Sequence, residues 1–125
     1  MSAETIRDTV LIIDDDCDFR ELLSMIGQLC GVRVLQAGDC RQALEVLEAE
    51  HARIKLIFLD YFVPGMEPEV GAKMITGKAG PQVPVILVTA AADPARRASQ
   101  LNIRRWLSKP LDVSVLSGLL MESSA

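Results

Sequence analysis

The sequence has few histidines, cysteines and aromatic residues, and these shortages exclude several kinds of functional site. Its 125 residues include one histidine, His51, which lies in the polar segment AEHAR and is interpreted as solvated. Histidine-based phosphotransfer within this chain and histidine-based metal sites are therefore excluded. The three cysteines are odd in number and form no CxxC pair (Cys17, Cys30 and Cys40). They are interpreted as reduced thiols of a cytosolic protein, without a disulfide.

Long apolar runs and blocks of basic residues are also missing. No apolar run approaches the ~18 residues that a membrane helix needs, and the N-terminal segment has no signal-peptide core. The net charge is −4 and no cluster of Lys or Arg is present, which argues against a nucleic-acid groove. Half of the residues are hydrophobic, and no linker or repeat interrupts residues 1–125. We therefore expect one cytoplasmic globular domain that binds neither membranes nor nucleic acid directly.

What the sequence does contain is a series of short apolar runs that end at polar side chains. The central run, Leu56–Leu59, stops at the carboxylate of Asp60. A run that is apolar on both faces predicts a strand in the middle of a parallel sheet covered by helices. Pro64 and Gly65 then break regular structure, so Asp60 is predicted at the carboxyl end of this strand. In open α/β sheets that edge binds ligands.

Four more strands and five helices are predicted around this central strand. The other strands are predicted at Thr9–Ile13, Val32–Ala37, Pro84–Thr89 and Ile103–Leu107. Helices are predicted after each strand, with Asp39, Asp93 and Asp112 as N-caps and Val115, Leu116, Leu119 and Leu120 on the inner face of the last helix. The third helix, carrying Val70, Met74 and Ile75, is expected to be short, with Gly71 inside it and Gly77 at its end. Strands alternating with helices predict an α/β sandwich.

Polar side chains stand at the predicted carboxyl ends of four strands. They are Asp14 and Asp15, Asp60, Thr89 and Lys109. Parallel strands bring all these ends to one edge of the sheet, where three carboxylates would repel each other unless a cation joined them. An open, oxygen-rich site suits Mg²⁺, and a hydroxyl and an ammonium suit the remaining oxygens of a phosphoryl group. The predicted chemistry is attack of Asp60 on phosphorus to give an acyl phosphate.

The segments VLIIDDD, FLDYFVPGM, VILVTA and WLSKP, in this order, resemble the receiver domain of two-component response regulators over nearly the whole chain. The resemblance implies a flavodoxin-like (βα)₅ sandwich with strand order 2-1-3-4-5. It implies a chain that accepts a phosphoryl group with Mg²⁺ from a sensor histidine kinase or a histidine phosphotransfer protein. It also allows for a dimer that forms on phosphorylation. Such a domain catalyses only its own phosphorylation and dephosphorylation.

The resemblance also assigns roles to individual residues. It implies that Asp60 is the phosphoacceptor and that Lys109 is the counter-ion of the phosphoryl group. It implies that Asp15 is a direct Mg²⁺ ligand, that Asp14 holds a metal-bound water, and that the backbone carbonyl of Phe62 is a further metal contact. It also implies that Thr89 is the switch hydroxyl and Trp106 the switch aromatic. The bond between Lys109 and Pro110 corresponds to one that is usually cis in this family. The spacing of 20 positions from Thr89 to Lys109 is shorter than is usual there, which predicts that the fourth helix or its exit is trimmed.

Two other functions are weighed against this one. A Mg²⁺-dependent phosphohydrolase with an aspartyl nucleophile would need a second aspartate two residues after the first, and that position holds Phe62. A receiver-like interaction module that is never phosphorylated would be expected to lose its acids, the threonine or the lysine, and this chain keeps all of them. A phosphorylatable receiver is therefore preferred. Whether it acts alone or within a larger protein such as a hybrid kinase stays open.

Overall fold

The computed structural model describes residues 6–122 as one parallel sheet with helices on both sides. The strands are β1 Thr9–Ile13, β2 Arg33–Ala37, β3 Ile54–Leu59, β4 Val85–Thr89 and β5 Arg105–Ser108, and their order in the sheet is β2-β1-β3-β4-β5. The helices are α1 Cys17–Leu29, α2 Cys40–Glu50, α3 Pro68–Ala79, α4 Pro94–Gln100 and α5 Val113–Met121, with a 3₁₀ turn at His51–Arg53. The predicted flavodoxin-like architecture is confirmed.

Two apolar layers on opposite faces of the sheet hold the sandwich together. Because side chains alternate along a strand, Leu11 and Ile57 pack under α2, α3 and α4, whereas Ile12 and Phe58 pack under α1 and α5. The three inner strands β1, β3 and β4 are buried almost throughout, as expected of strands covered on both faces. No helix within residues 6–122 is long and apolar enough to cross a membrane.

The helix caps agree with the sequence prediction at two of three sites. The carboxylate of Asp39 accepts a hydrogen bond from the backbone N–H of Gln42, and Asp112 accepts one from Ser114. Asp93 also occupies the N-cap position of α4, but its side chain makes no capping hydrogen bond. Its backbone is left-handed instead, at φ 61°.

The start of the last strand was predicted two residues too early. Asn102 is left-handed at φ 58°, and the backbone N–H of Ile103 donates to the carbonyl of Ala98 at 2.9 Å. This pair of features is a Schellman ending of α4, in which the residue after the left-handed one still belongs to the helix cap. Ile103 is therefore buried at the end of a helix, and β5 begins at Arg105.

The prediction for α3 was wrong in its length and in its end at Gly77. The helix runs without a break through Gly77 and ends at Gly80, whose φ of 92° suits glycine. Its buried side is formed by Ala72, Ile75 and Ala79, whereas Val70 and Met74 are exposed. Packing of this small-residue face on the sheet outweighs the low helix propensity of the glycines. In α5, Val115 is likewise exposed and not on the inner face.

Candidate functional site

The predicted site residues converge at the carboxyl edge of the sheet because the strands that carry them are neighbours. Ile13 at the end of β1 lies opposite Leu59 at the end of β3, and the backbone N–H of Asp60 donates to the carbonyl of Ile13 at 3.0 Å. On the other side, the N–H of Lys109 donates to the carbonyl of Thr89 at 3.0 Å. Two neighbouring strand pairs thus set the geometry of the site.

Three carboxylates form the centre of this site. Asp14, Asp15 and Asp60 each offer an oxygen atom, and these atoms all lie within 4.8 Å of one another. The side chain of Asp14 is 1% exposed and accepts hydrogen bonds from the N–H of Asp16 at 2.9 Å and from Lys109 Nζ at 2.5 Å. Asp60 Oδ1 accepts from the N–H of Tyr61, and Asp15 is exposed. Asp14 and Asp60 are therefore largely shielded from water by the protein, whereas Asp15 is accessible to water.

The cluster leaves Asp60 harder to ionise than an ordinary aspartate. Burial raises the pKa of Asp60 most, and the neighbouring charge of Asp14 raises it further. Two neighbouring groups lower this pKa: the ammonium of Lys109, whose Nζ lies 3.8 Å from Asp60 Oδ2, and the hydroxyl of Thr89. One lysine thus only partly compensates the three acids.

The donor set fits a hard divalent cation. All three side chains supply oxygen, the ligand atom that Mg²⁺ prefers. Two oxygens bound directly to one Mg²⁺ lie no more than about 4.2 Å apart, since each bond is about 2.1 Å. The three oxygen atoms lie within 4.8 Å of one another, so one ion can reach them directly or through waters that it keeps. The exposure of Asp15 leaves room for those waters.

Lys109 is held in place from two sides. Its ammonium pairs with Asp14 and lies 4.5 Å from the centre of the Phe19 ring, a cation–π distance. The peptide bond between Lys109 and Pro110 is cis, as the family resemblance implied. The contact with Phe19 was missed by sequence reasoning, because an aromatic residue at helical spacing predicts core packing and not a contact with a charged group.

The other predicted site residues lie around this centre at different depths. Thr89 is fully buried, and its hydroxyl oxygen accepts a hydrogen bond from the N–H of Ala91 at 3.1 Å. Trp106 lies on β5 opposite Leu87 and is 42% exposed, so its ring is turned partly outward. Phe62 lies in the loop after Asp60 with its side chain 57% exposed. The structure thus brings Thr89 to the acids and leaves the two aromatic rings at the surface.

A contact between α4 and the loop after Asp60 was not anticipated from the sequence. The Tyr61 hydroxyl donates to Gln100 Oε1 at 3.1 Å, and the Arg97 guanidinium lies 4.7 Å from the Tyr61 ring centre. Arg97 also lies 5.9 Å from the ring of Phe62, which meets Tyr61 edge-on at 4.9 Å. The short fourth helix is thereby attached to the segment that follows Asp60. Only the aromatic pair directly after the aspartate hinted at this in the sequence.

A five-stranded parallel sheet in this order, with acids after β1 and β3 and a lysine after β5, defines a flavodoxin-like domain with an acidic site at its carboxyl edge. The family model described as response regulator receiver domain matches residues 10–120. The chain belongs to this family, the receiver domains of two-component response regulators.

Individual relatives agree with this assignment. The chain is 33% identical over 119 residues to the positive alginate biosynthesis regulatory protein of Pseudomonas aeruginosa. This match covers 92% of the chain and 46% of the relative. It is 30% identical over 90 residues to the DNA-binding response regulator MtrA of Mycobacterium tuberculosis, covering 72% and 38%. The chain spans less than half of the length of these relatives. A CheY-like receiver domain protein of Methanospirillum hungatei shares the fold, with a TM-score of 0.78, 23% identity and 90% of each chain covered.

Proposed function

We propose that this chain is a phosphoacceptor receiver domain, with residues 1–125 acting as one domain, in which Asp60 accepts a phosphoryl group from a histidine kinase or a histidine phosphotransfer protein. The observation that carries the proposal is the position of Asp60. It lies at the carboxyl end of the central strand, shares the acidic cluster with Asp14 and Asp15, and has a lysine ammonium 3.8 Å from its Oδ2. The family supports a histidine kinase as the partner.

The chemistry is a single displacement at phosphorus. A carboxylate oxygen of Asp60 forms the new O–P bond, and the P–N bond to the donor histidine breaks, leaving its electron pair on the imidazole nitrogen. The hydrogen bond from the N–H of Tyr61 to Oδ1 holds the carboxylate in one orientation, at 2.8 Å. Lys109, on the side of Oδ2, is placed to stabilise negative charge on the incoming phosphoryl oxygens. The domain acts on its own aspartate and not on a separate substrate.

We assign the metal-binding role to Asp60 and to the two acids beside it. We assign direct contact to Asp15 and Asp60 and a water-mediated contact to Asp14, because Asp14 already accepts hydrogen bonds from Asp16 and Lys109. The backbone carbonyl of Phe62 is assigned as a further ligand on the basis of the family resemblance. A bound Mg²⁺ would neutralise the crowded carboxylates and the phosphoryl oxygens.

Intact mass measurement after incubation with Mg²⁺ and acetyl phosphate tests the proposal. The wild type is expected to gain one phosphoryl group, and the gain should disappear with EDTA and in Asp60→Asn. Asp18→Asn, which changes an exposed acid in the first turn of α1, is the matched control and should gain phosphate like the wild type. An equal gain in Asp60→Asn and wild type would show that another residue is the acceptor.

A further inference from the structure

Arg20 on α1 connects the helix to the backbone of the acidic loop. Its side chain is half-buried, and Nη1 donates to the backbone carbonyl of Asp14 at 2.7 Å. Nε donates to Gln36 Oε1 at 3.1 Å, and the amide nitrogen of Gln36 donates to Ser24 Oγ at 3.1 Å. The guanidinium is thus fixed between an acceptor on the loop and a polar pair formed by α1 and β2.

The carbonyl that Arg20 binds belongs to the peptide unit between Asp14 and Asp15. Because a peptide unit is planar, holding its oxygen also fixes the direction of the N–H and Cα of Asp15. The rest of Asp14 is held independently, since its N–H donates to Ala37 and its carboxylate pairs with Lys109. Asp15 itself is exposed. The orientation of its carboxylate therefore depends on the peptide that Arg20 holds.

Gly38 provides the space for this contact. A Cβ added to Gly38 would lie 3.2 Å from Arg20 Nη1 and 3.6 Å from Cζ, so the guanidinium packs against the glycine backbone. Gly38 is not among the residues with positive φ, so backbone strain does not require a glycine there. A side chain at this position would therefore require the guanidinium to move by a few tenths of an ångström.

We propose that Arg20 is a positioning residue for metal binding, which orients Asp15 by fixing the peptide between Asp14 and Asp15. The inference rests on the proposed function, since it takes the acidic cluster to be the Mg²⁺ site. Arg20 contacts the loop from the helix side through a backbone oxygen, so its role is exerted through Asp15. Residues that orient metal ligands typically change metal affinity by about 10- to 100-fold when they are replaced.

The sign of the effect separates positioning from charge. Arg20 carries a positive charge near three carboxylates, so its removal should strengthen Mg²⁺ binding if only long-range electrostatics were involved. If Arg20 orients Asp15, its removal should weaken Mg²⁺ binding in spite of the lost repulsion. The two explanations predict opposite changes in the same dissociation constant.

The experiment is a titration of the unphosphorylated protein with MgCl₂ by isothermal titration calorimetry. Arg20→Gln is expected to weaken Mg²⁺ binding roughly tenfold. Arg20→Lys, which keeps the charge and one donor, should recover most of the affinity. Gly38→Ala keeps the arginine but displaces its guanidinium, and it should give an intermediate loss. Arg41→Gln is the matched control, since Arg41 is an exposed arginine that pairs only with Glu45 in the described structure. The Mg²⁺ affinity of this variant should equal that of the wild type.

Thermal melts without metal complete the test. Unchanged or tighter Mg²⁺ binding in both Arg20→Gln and Gly38→Ala overturns the proposal, even if their melting temperatures fall, because the role would then be purely structural. If Arg20→Gln does not fold, Gly38→Ala and Arg20→Lys decide the question.

The proposed function can fail separately from this inference. A wild type that binds Mg²⁺ with the predicted dependence on Arg20 but takes no phosphate from acetyl phosphate would contradict the receiver chemistry and leave the positioning role standing. A wild type that takes phosphate on Asp60 while Arg20→Gln binds Mg²⁺ normally would contradict the positioning role and leave the receiver chemistry standing.

Discussion

Single residues in the site differ in their surroundings although they have the same side chain. Asp14 is buried and paired with Lys109, Asp15 faces water, and Asp60 is partly buried next to both. These differences arise because Asp14 follows β1 directly at the covered edge of the sheet, whereas Asp15 is one residue further into the loop. Three equal carboxylates thus acquire different surroundings from position alone.

The first prediction concerns the pH dependence of stability. The pKa of Asp60 is raised by burial and by Asp14, so between its unfolded pKa of about 3.9 and its folded pKa the native state binds more protons than the unfolded state. In that window the free energy of unfolding falls as pH rises. Asp60→Asn, which keeps an oxygen for the Tyr61 N–H, should therefore be more stable than wild type at pH 7 in EDTA.

Urea denaturation at several pH values measures this difference. The advantage of Asp60→Asn should shrink as pH falls towards 4. Asp8 is the control of opposite sign, because its ion pair with Arg53 lowers the pKa of Asp8. Asp8→Asn should lose stability at pH 7 and recover relative to wild type as pH falls. A stability advantage of Asp60→Asn that does not depend on pH would contradict the explanation by crowded carboxylates.

The second prediction concerns the lifetime of the aspartyl phosphate. Hydrolysis needs a water in line with the leaving carboxylate, and the flanking positions are Phe62 and Ala91, neither of which can orient a water through its side chain. Phe62 also packs edge-on against Tyr61 near Arg97. We expect the double variant Phe62→Asn, Ala91→Glu to lose phosphate at least roughly tenfold faster than wild type, because positioned polar groups contribute about 100-fold or more to such steps.

Loss of the added mass after removal of acetyl phosphate gives the rate. Met74→Gln, an exposed apolar residue of α3, is the control for surface polarity and should match the wild type. Equal lifetimes in the double variant and wild type would show that water access is not limited at these two positions.

At the scale of elements, α3 gives a prediction about stability. Gly77 lies inside this helix, and a Cβ there would meet no atom within 4 Å. Gly77→Ala should therefore raise the free energy of unfolding by about 0.5–1 kcal/mol, the propensity difference between the two residues. Gly80→Ala is the control, because its φ of 92° is unfavourable for alanine, and it should destabilise the fold. Guanidinium denaturation checks both, and a destabilised Gly77→Ala would mean that α3 ends earlier.

The fourth prediction concerns the expected switch between β4 and β5. Phosphorylation should draw the Thr89 hydroxyl away from the N–H of Ala91 towards the phosphoryl group, leaving space into which Trp106 can turn from its partly exposed position. Mg²⁺ with beryllofluoride should therefore shift the tryptophan emission to shorter wavelength, beyond the effect of Mg²⁺ alone. Trp106 is the only tryptophan, so its signal is unambiguous.

Thr89→Ala separates binding of the phosphoryl mimic from the switch. This variant should still bind beryllofluoride, measured by calorimetry, but lose most of the emission change. If the wild type binds the mimic without any change in emission, Trp106 is a packing residue of β5 and any switch uses other contacts, such as the attachment of α4 to Tyr61.

At the scale of the whole molecule, the two apolar layers share one sheet, so we expect them to unfold together. Leu11 belongs to one layer and Ile12 to the other, although they are adjacent in β1. We expect one cooperative thermal transition, with equal calorimetric and van't Hoff enthalpies. Mg²⁺ should raise its midpoint, because a ligand that binds only the native state stabilises all of it. Asp15→Asn should lose most of this rise, and two separate transitions would contradict the single-domain expectation.

The sequence by itself determined where the apolar strands end and which polar side chains follow them, because these are local patterns. Short apolar runs ending at Asp60 and Thr89 were readable without a structure, since burial on both faces leaves an unbroken apolar run. The caps Asp39 and Asp112 were readable for the same reason, as a capping bond forms within three residues. The sheet then follows from the strong preference of such units for parallel packing with helices on both faces.

What the tertiary structure alone decided are the features that join distant parts of the chain. The continuity of α3 through Gly77 and the outward position of Trp106 depend on packing against other elements, which outweighs local propensity. The hydrogen bond from Arg20 to Asp14 also belongs here. From the sequence, an arginine on an amphipathic helix is predicted to be a solvated charge. Only the folded chain brings the loop after β1 close enough to accept a hydrogen bond from the guanidinium, and brings Gly38 close enough for the guanidinium to pack against it.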